Sequence, residues 1–302
     1  MPVLITGATG LIGRSIVKSY LEDRDTVNVL TRDVDRARGL LGGEVRIFAW
    51  DVASEDVPAA ALEGVETVFH LMGEPVGGRW TKGKVERIFQ SRIVSAQKLA
   101  KALKNAPCRF ISASSFGIYS GRRDAVYDET YDLPPPVTRI QDILQTLERA
   151  VAGASSAVIK VNMLRFGMVC ANEGYPKKLV RLFKKGAGFI VGDGEQIVPI
   201  VDIDDAVGMM RWVASGQAGD GPVNCVAPQL PKFKDVARSV AAETGTAVRL
   251  KIPKWLARPL LGGSADYFLL SYDVRPRKAL DRGYNFRQSN PAEILRRAIQ
   301  GA

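Results

Sequence analysis

Along the first half of the chain, short apolar runs alternate with longer stretches whose apolar positions recur at helical spacing. The runs at residues 3–5, 26–31, 45–49, 67–71, 109–114 and 157–164 read as strands. Helical patterns fill the gaps, among them residues 14–21, roughly 80–103, and 139–154. Strands that alternate with helices form a parallel sheet covered on both faces, because each parallel connection must cross a face of the sheet. Past Gly167 the alternation breaks into Gly- and Pro-bearing loops, a basic helix, a short strand ending near Val201 and scattered helices. Asp204 and Asp205 precede the apolar stretch 206–213 and suit a helix N-cap. From Lys232 to Leu295 the pattern is mostly helical, with one strand at 248–252. The expected architecture is a doubly wound α/β domain over residues 1–166, to which later segments return. A smaller, mainly helical C-terminal lobe covers 167–302.

The first strand runs into Gly7, Ala8, Thr9, Gly10, Leu11, Ile12 and Gly13, which gives glycines at every third position. Gly7 permits a tight turn off the strand. Gly10 permits the backbone to approach a pyrophosphate, and Gly13 permits the following helix to lie close to the sheet. The helix N-terminus then offers N–H groups and the positive end of its dipole to the phosphates. A glycine triplet alone is a weak signal, but a preceding strand and a following helix are the context that dinucleotide binding requires.

The second strand ends in Thr31, Arg32 and Asp33, about twenty residues past the glycines, where the 2′-position of the adenosine ribose is read. A basic residue there pairs with a 2′-phosphate, whereas Asp33 precedes a helical run and reads as its N-cap. NADP(H) is therefore expected ahead of NAD(H). The alternative leaves Arg32 on the surface and gives the ribose to Asp33. Asp51 and Val52, after the third strand, stand where an adenine-edge contact comes. Leu71, Met72 and Gly73, after the fourth, run past the pyrophosphate and the nicotinamide ribose.

At 302 residues and 46% hydrophobic content the chain can bury a large core. No apolar run is long enough to span a membrane, and the glycine strand begins at residue 3, which leaves no room for a signal peptide. Cys108, Cys170 and Cys225 lie far apart without metal-ligand spacing, so reduced thiols in a cytoplasmic protein and no metal are expected. His70 is the single histidine, which excludes a histidine-rich metal site and argues against a histidine triad; a buried strand-end residue is its expected role. The net charge of +10 is spread widely, with no aromatic-interleaved or nucleic-acid motif, so the partner expected is a small molecule rather than nucleic acid. Lys177, Arg181, Lys184 and Lys185 share one side of a helix whose other side carries Leu179 and Phe183. A solvated face is the expected reading, and contact with an anionic membrane surface the alternative.

In order, the motifs are Thr6 to Gly13, His70-Leu71-Met72-Gly73-Glu74-Pro75, Gly78-Arg79-Trp80, Ser91-Arg92, Ile111-Ser112-Ala113-Ser114, Leu164-Arg165-Phe166-Gly167 and Gly221-Pro222-Val223-Asn224. Together they resemble the short-chain dehydrogenase/reductase superfamily, and more closely its atypical, nucleoside-diphosphate-sugar epimerase-like branch, over nearly the whole length. The resemblance implies a Rossmann fold that binds a nicotinamide dinucleotide. It also implies a C-terminal region of undefined function from about Lys232. Arg92 stands where many extended members place an asparagine, and is counted with the cofactor contacts. Gly167 and Met168 are placed beside the nicotinamide amide.

The superfamily's usual catalytic pair is Tyr-x-x-x-Lys on the helix after the fifth strand, where the lysine lowers the pKa of the tyrosine. The matching helix here begins Arg139-Ile140-Gln141-Asp142-Ile143-Leu144 and carries neither residue. Ser114 and Ser115 remain at the strand edge, with Tyr119 just beyond. They serve either to polarise a substrate carbonyl and supply a proton or, for the serines, only to cap the strand end. Glu74, Arg165 and Asp202 are candidates for substrate binding, Arg165 foremost; Arg79, Glu129 and Asp204 are further polar residues near the expected mouth, and a solvated or structural role is the expected reading of each carboxylate. The expected activity is NADP(H)-dependent reduction of a carbonyl on a small organic substrate. The alternatives are epimerisation or dehydration of a nucleotide sugar, and cofactor sensing without turnover.

Overall fold

The computed structural model describes residues 2–78, 80–104, 106–186, 188–261 and 266–301. The apolar runs become the strands Val3–Thr6, Val27–Thr31, Arg46–Ala49, Thr67–His70, Cys108–Ser115 and Ile159–Phe166, and Gly221–Cys225 adds a seventh. Every pairing in this sheet is parallel. From one edge the order is 221–225, 159–166, 108–115, 67–70, 3–6, 27–31 and 46–49. The chain thus winds outward in both directions from the junction between the first and fourth strands. Such a switch point opens a crevice at the carboxyl ends of the strands.

Each face of the sheet has its own core. On one side Ile16, Val17 and Tyr20 of the helix Leu11–Glu22 pack with Met209, Met210 and Val213 of the helix Ile203–Ala214. On the other, Ala96 and Leu99 of Ser95–Ala102 pack with Ile143, Leu147 and Val151 of Arg139–Ala152. Thr138 and Gln141 cap the last helix reciprocally. Strand Gly221–Cys225 and helix Ile203–Ala214 follow residue 167 in sequence yet build onto the main sheet. The helices Tyr175–Lys184, Phe233–Thr244 and Pro291–Gln300 form a separate core around Leu179, Phe183, Val236, Val240 and Ile294. Beside them lie two short parallel sheets, 168–170 with 200–202 and 189–191 with 250–252.

Three boundaries differ from expectation. The first helix begins at Leu11 rather than residue 14, because the extended Gly10 serves as its N-cap and residues 11–13 form the first turn. The helix after residue 202 is capped by Asp202, whose carboxylate accepts from the Asp204 N–H at 2.9 Å; Asp204 and Asp205 fall inside the first turn. The long helix expected at 80–103 is interrupted by a π-helical turn, Gln90–Val94, between Lys82–Phe89 and Ser95–Ala102. Asp33 accepts from the Arg36 N–H at 3.0 Å and caps Val34–Leu41. The basic helix buries Leu179 and Phe183 and exposes Lys177, Arg181 and Lys184, with Lys185 just past its end. All three cysteines are buried and free. Among the described residues, no helix is long and apolar enough to cross a membrane, and no cluster has the makings of a metal site.

Candidate functional site

At the switch point, Gly7 has φ +70, and a Cβ there would come within 2.6 Å of the Met72 nitrogen. At Gly13 a Cβ would lie 2.2 Å from the Gly7 carbonyl oxygen. Both glycines are therefore demanded by the protein's own backbone. Gly10 differs: a Cβ would meet only the Gly7 carbonyl, at 3.3 Å, so its bare face opens outward at the head of the helix. That helix has no side-chain cap and no acidic residue in its first turn. Its free N–H groups and dipole suit an anion, and the residues present fit a dinucleotide pyrophosphate. Arg32 is exposed at the end of the second strand while Asp33 is occupied by its capping bond. Asp51 accepts from Ala53 N–H in an exposed turn, and Val52 packs into the core beneath it. Leu71 and Met72 donate their N–H groups to Thr6 Oγ1, which pins the fourth strand's exit against the glycine turn.

A cavity of about 620 Å³ extends from this turn. Ile12, Leu71 and Gly167 lie at one end, Ser115, Arg92 and Tyr267 border its middle, and Leu179, Leu182, Phe189 and Phe268 contribute an apolar wall from the later segments. Ile140 and Leu144, four residues apart, also face it. They hold the spacing that a tyrosine–lysine pair needs, and both are apolar. Gly167 and Met168 line the cavity, but their N–H groups donate to the carbonyls of Cys225 and Pro199 at 2.9 and 2.7 Å. A nicotinamide amide would find no free backbone donor there.

The two adjacent serines have different surroundings. Ser114 borders the cavity, yet its Oγ donates to Glu148 at 2.6 Å. Glu148 also receives two donors from Arg165, at 3.0 and 2.7 Å, and both side chains are buried. Arg165 donates further to the Tyr119 hydroxyl at 2.9 Å, which itself donates to Asn224 at 2.8 Å. Burial pushes the Tyr119 phenol up to about 12 against the opposing pull of Arg165. Burial works against the Arg165 charge too, but Glu148 more than offsets it and holds the guanidinium above its ordinary value. Tyr119 and Arg165 thus lie in a saturated internal network, outside the cavity lining. Ser115 instead accepts from Gly117 N–H at 3.2 Å, capping a short turn, and meets the Tyr267 hydroxyl at 3.4 Å on the cavity side.

Arg92 sits in the π-helical turn and donates to the Glu74 carbonyl at 3.2 Å. Its Nε is buried with no hydrogen-bond partner among the described residues. Burial lowers its pKa, with Tyr267 and Glu74 pulling back the other way. Gly73 makes room for it, since a Cβ there would lie 2.6 Å from the guanidinium carbon. The Glu74 carboxylate turns away to Arg87, at 3.4 Å, and Asp202 is a helix cap whose second neighbour is Arg297, at 3.8 Å. Neither lines the cavity. Glu129 accepts from the N–H groups of Asn224 and Lys278, Asp204 pairs with Arg297, and Arg79 lies outside the described residues. His70 is buried between Ser112 and Ser95, at 3.0 and 2.7 Å, and burial holds its imidazole down at about 3.

Sequence reasoning missed Tyr267, Glu148 and the cavity-facing pair Ile140 and Leu144. Glu148 lies nine residues past the start of its helix, which was legible as amphipathic, so its inward position was available from periodicity. Tyr267 carried no signal at all. It belongs to a four-residue helix, Asp266–Leu269, that no pattern connects to the fifth strand.

A family model described as the NAD-dependent epimerase/dehydratase family matches residues 3–225. The chain is 25% identical over 307 residues to the chloroplastic epimerase family protein SDR39U1 homolog of Arabidopsis thaliana, which covers 99% of this chain and 87% of that one. It is 24% identical over 297 residues to the epimerase family protein YfhF of Bacillus subtilis, covering 96% and 95%. In fold it is similar to human epimerase family protein SDR39U1, solved with NADPH, at a TM-score of 0.84, 22% identity and full coverage of both chains. A UDP-glucuronic acid 4-epimerase from Bacillus cereus, solved with UDP-glucuronic acid and NAD, follows at 0.78, with 18% identity and 99% coverage of each chain. The matched span includes the glycine turn, both serines and the seventh strand, and the chain belongs to the NAD-dependent epimerase/dehydratase family.

Proposed function

We propose that this chain is an NADP(H)-dependent reductase of a carbonyl on a bulky, mostly apolar substrate. The observation that carries the reading is the cavity itself. It joins the glycine turn to the Ser115 hydroxyl and then runs into Leu179, Leu182, Phe189 and Phe268. A sugar diphosphate would leave its hydroxyls facing that wall without partners, at a cost for each unsatisfied polar group. Epimerisation also needs an acid and a base at the sugar ring, and Ile140 and Leu144 stand where the helix would supply them.

When bound, the reduced nicotinamide supplies a hydride. The protein's part is positional. The turn at residues 7–13 holds the pyrophosphate, and Arg32 meets the 2′-phosphate. Ser115 Oγ donates to the carbonyl oxygen as negative charge develops there, and the apolar wall excludes water. Ser114, Tyr119 and Arg165 act from behind, keeping the end of the fifth strand rigid; Asp202 is given no part in substrate binding.

Titration of NADPH and NADH into wild type and Arg32→Ala tests the cofactor half. NADPH should bind more tightly, and the preference should vanish with the arginine, a loss of about 1.5–3 kcal/mol for a charge-assisted contact. Preference for NADH in wild type, or an unchanged preference in the variant, removes the assignment. Incubation with NADPH and a panel of aromatic and long-chain aldehydes and ketones tests the chemistry. Turnover of UDP-sugars with no oxidation of NADPH would replace the reductase reading by epimerisation. Tight NADPH binding without turnover of either class would leave a sensor.

A further inference from the structure

We propose that Tyr267, delivered by the C-terminal segment, is the proton donor of this cavity, and that Arg92, which borders the same cavity, is the cation that balances the phenolate it leaves. The assignment of the donated proton to a carbonyl oxygen rests on the reductase reading above; the pairing of Tyr267 with Arg92 does not.

The Tyr267 hydroxyl lies 3.4 Å from Ser115 Oγ, the group that would hold the carbonyl oxygen, so one oxygen atom in the cavity can accept from both. The ring is fixed from two sides. Phe116 meets it edge-on, with centroids 5.0 Å apart. Gly117 lies against it so closely that a Cβ would come 2.7 Å from the hydroxyl. Arg92 borders the same cavity from the π-helical turn, and Tyr267 is among the groups whose charge acts on its guanidinium. Behind Arg92 stand Glu74, which couples to it, and Arg87, which takes the Glu74 carboxylate. Arg92 Nε has no hydrogen-bond partner among the described residues, so a charge-assisted donor of this residue is still unspent.

A phenol next to a buried cation is the chemical content of a tyrosine–lysine pair: the positive charge favours phenolate and lowers the cost of releasing the proton. The helix that supplies such a pair elsewhere presents Ile140 and Leu144 here. Tyr119 cannot substitute, since its hydroxyl is committed to Asn224 and to the Asp128 carbonyl and receives Arg165. In the step, the carbonyl carbon accepts a hydride and the C=O π pair moves onto oxygen. That oxygen takes the proton from Tyr267 Oη, leaving tyrosinate beside the Arg92 guanidinium. Water returns a proton to the phenolate through the Ser115 hydroxyl. The carbonyl gains two electrons, which come from the reduced nicotinamide.

The test has a spectroscopic arm and a kinetic arm, both on the full chain. Tyrosinate absorbance is followed against pH in wild type, Tyr267→Phe, Arg92→Met and Arg92→Lys, with thermal melting to confirm folding. The earliest-ionising tyrosine should disappear in Tyr267→Phe, move up by about one pH unit or more in Arg92→Met, and return part-way in Arg92→Lys. An earliest step that survives Tyr267→Phe, or is unmoved in Arg92→Met, overturns the pairing. For the kinetic arm, single-turnover oxidation of NADPH is measured with benzil, a bulky apolar diketone. Tyr267→Phe should slow it by about 10²–10⁴-fold with NADPH affinity unchanged. A wild-type rate in Tyr267→Phe overturns the proton-donor role and leaves the reductase reading standing. Inert wild-type enzyme with benzil and the aldehyde panel sinks the reductase reading, and the titration then decides the tyrosine–arginine pair by itself.

Discussion

Ser114 and Ser115 are neighbours on one strand, and they face two polar clusters of opposite character. Successive strand residues point to opposite sides, so the chain turns one hydroxyl toward Glu148 and the next toward Tyr267. Behind Ser114, the hydrogen-bonding groups of Glu148, Arg165 and Tyr119 that face one another are all engaged. On the Ser115 side of the cavity, Arg92 retains a buried nitrogen with no hydrogen-bond partner among the described residues. A saturated network rigidifies, whereas an unpaired buried donor is a cost that a further partner would relieve. Fractional burial does not separate the two clusters; hydrogen-bond completeness does.

The contrast breaks most severely at Glu148. Glu148→Ala leaves Arg165 buried without its carboxylate and should cost about 3–5 kcal/mol of stability by chemical denaturation. NADPH affinity of the folded fraction should not change, and a well-folded variant with weak cofactor binding would contradict the separation. Next comes Ser115→Ala. Loss of one oriented donor to a developing oxyanion should slow single-turnover reduction about 10²–10³-fold while moving the melting temperature little. Ser114→Ala should do the reverse, and equal rate losses in the two would merge the clusters into one site. Tyr119→Phe should cost about 1–3 kcal/mol, because it strips donors and acceptors from buried Asn224 and Arg165, with hydride transfer intact.

The gentlest test uses pH. His70 sits at about 3 when folded against an ordinary 6.5, so the unfolded chain binds the extra proton between those values. Stability from this group is complete above about pH 6.5 and falls as pH drops toward 3, by at most about 1.4 kcal/mol per unit. His70→Gln should flatten the fall in melting temperature on acidification. An unchanged acid slope would mean that other groups set it.

The legible and illegible parts of the molecule divide along the same line. The glycine turn, the strand ends and the capping role of Asp33 are local, since spacing and chain direction suffice to place them. The strands at 3–6, 27–31 and 67–70 were readable because strands buried on both faces are mostly apolar and rich in Val, Ile and Leu. The wall formed by Leu182, Phe189, Phe268 and Tyr267 depends on how segments far apart in sequence fold over the crevice, and periodicity carries nothing of that. Tyr119 and Arg165 could not be placed from the sequence for a related reason. Polar residues at a strand's carboxyl end are as often buried partners as they are ligands, and only the position of Glu148 decides which.

The π-helical turn at Gln90–Val94 has a consequence in terms of descent. A wider turn accommodates one residue more than a regular helix, so this stretch behaves as a one-residue insertion that the fold has absorbed. Removing a single residue there would restore a regular helix and swing everything on one side of it by about 100° relative to the other. Arg92 would leave the cavity while Ile88 and Leu99 searched for new places in the core. Losing one residue from the bulge would thus change the charge around this cavity without any substitution in its lining.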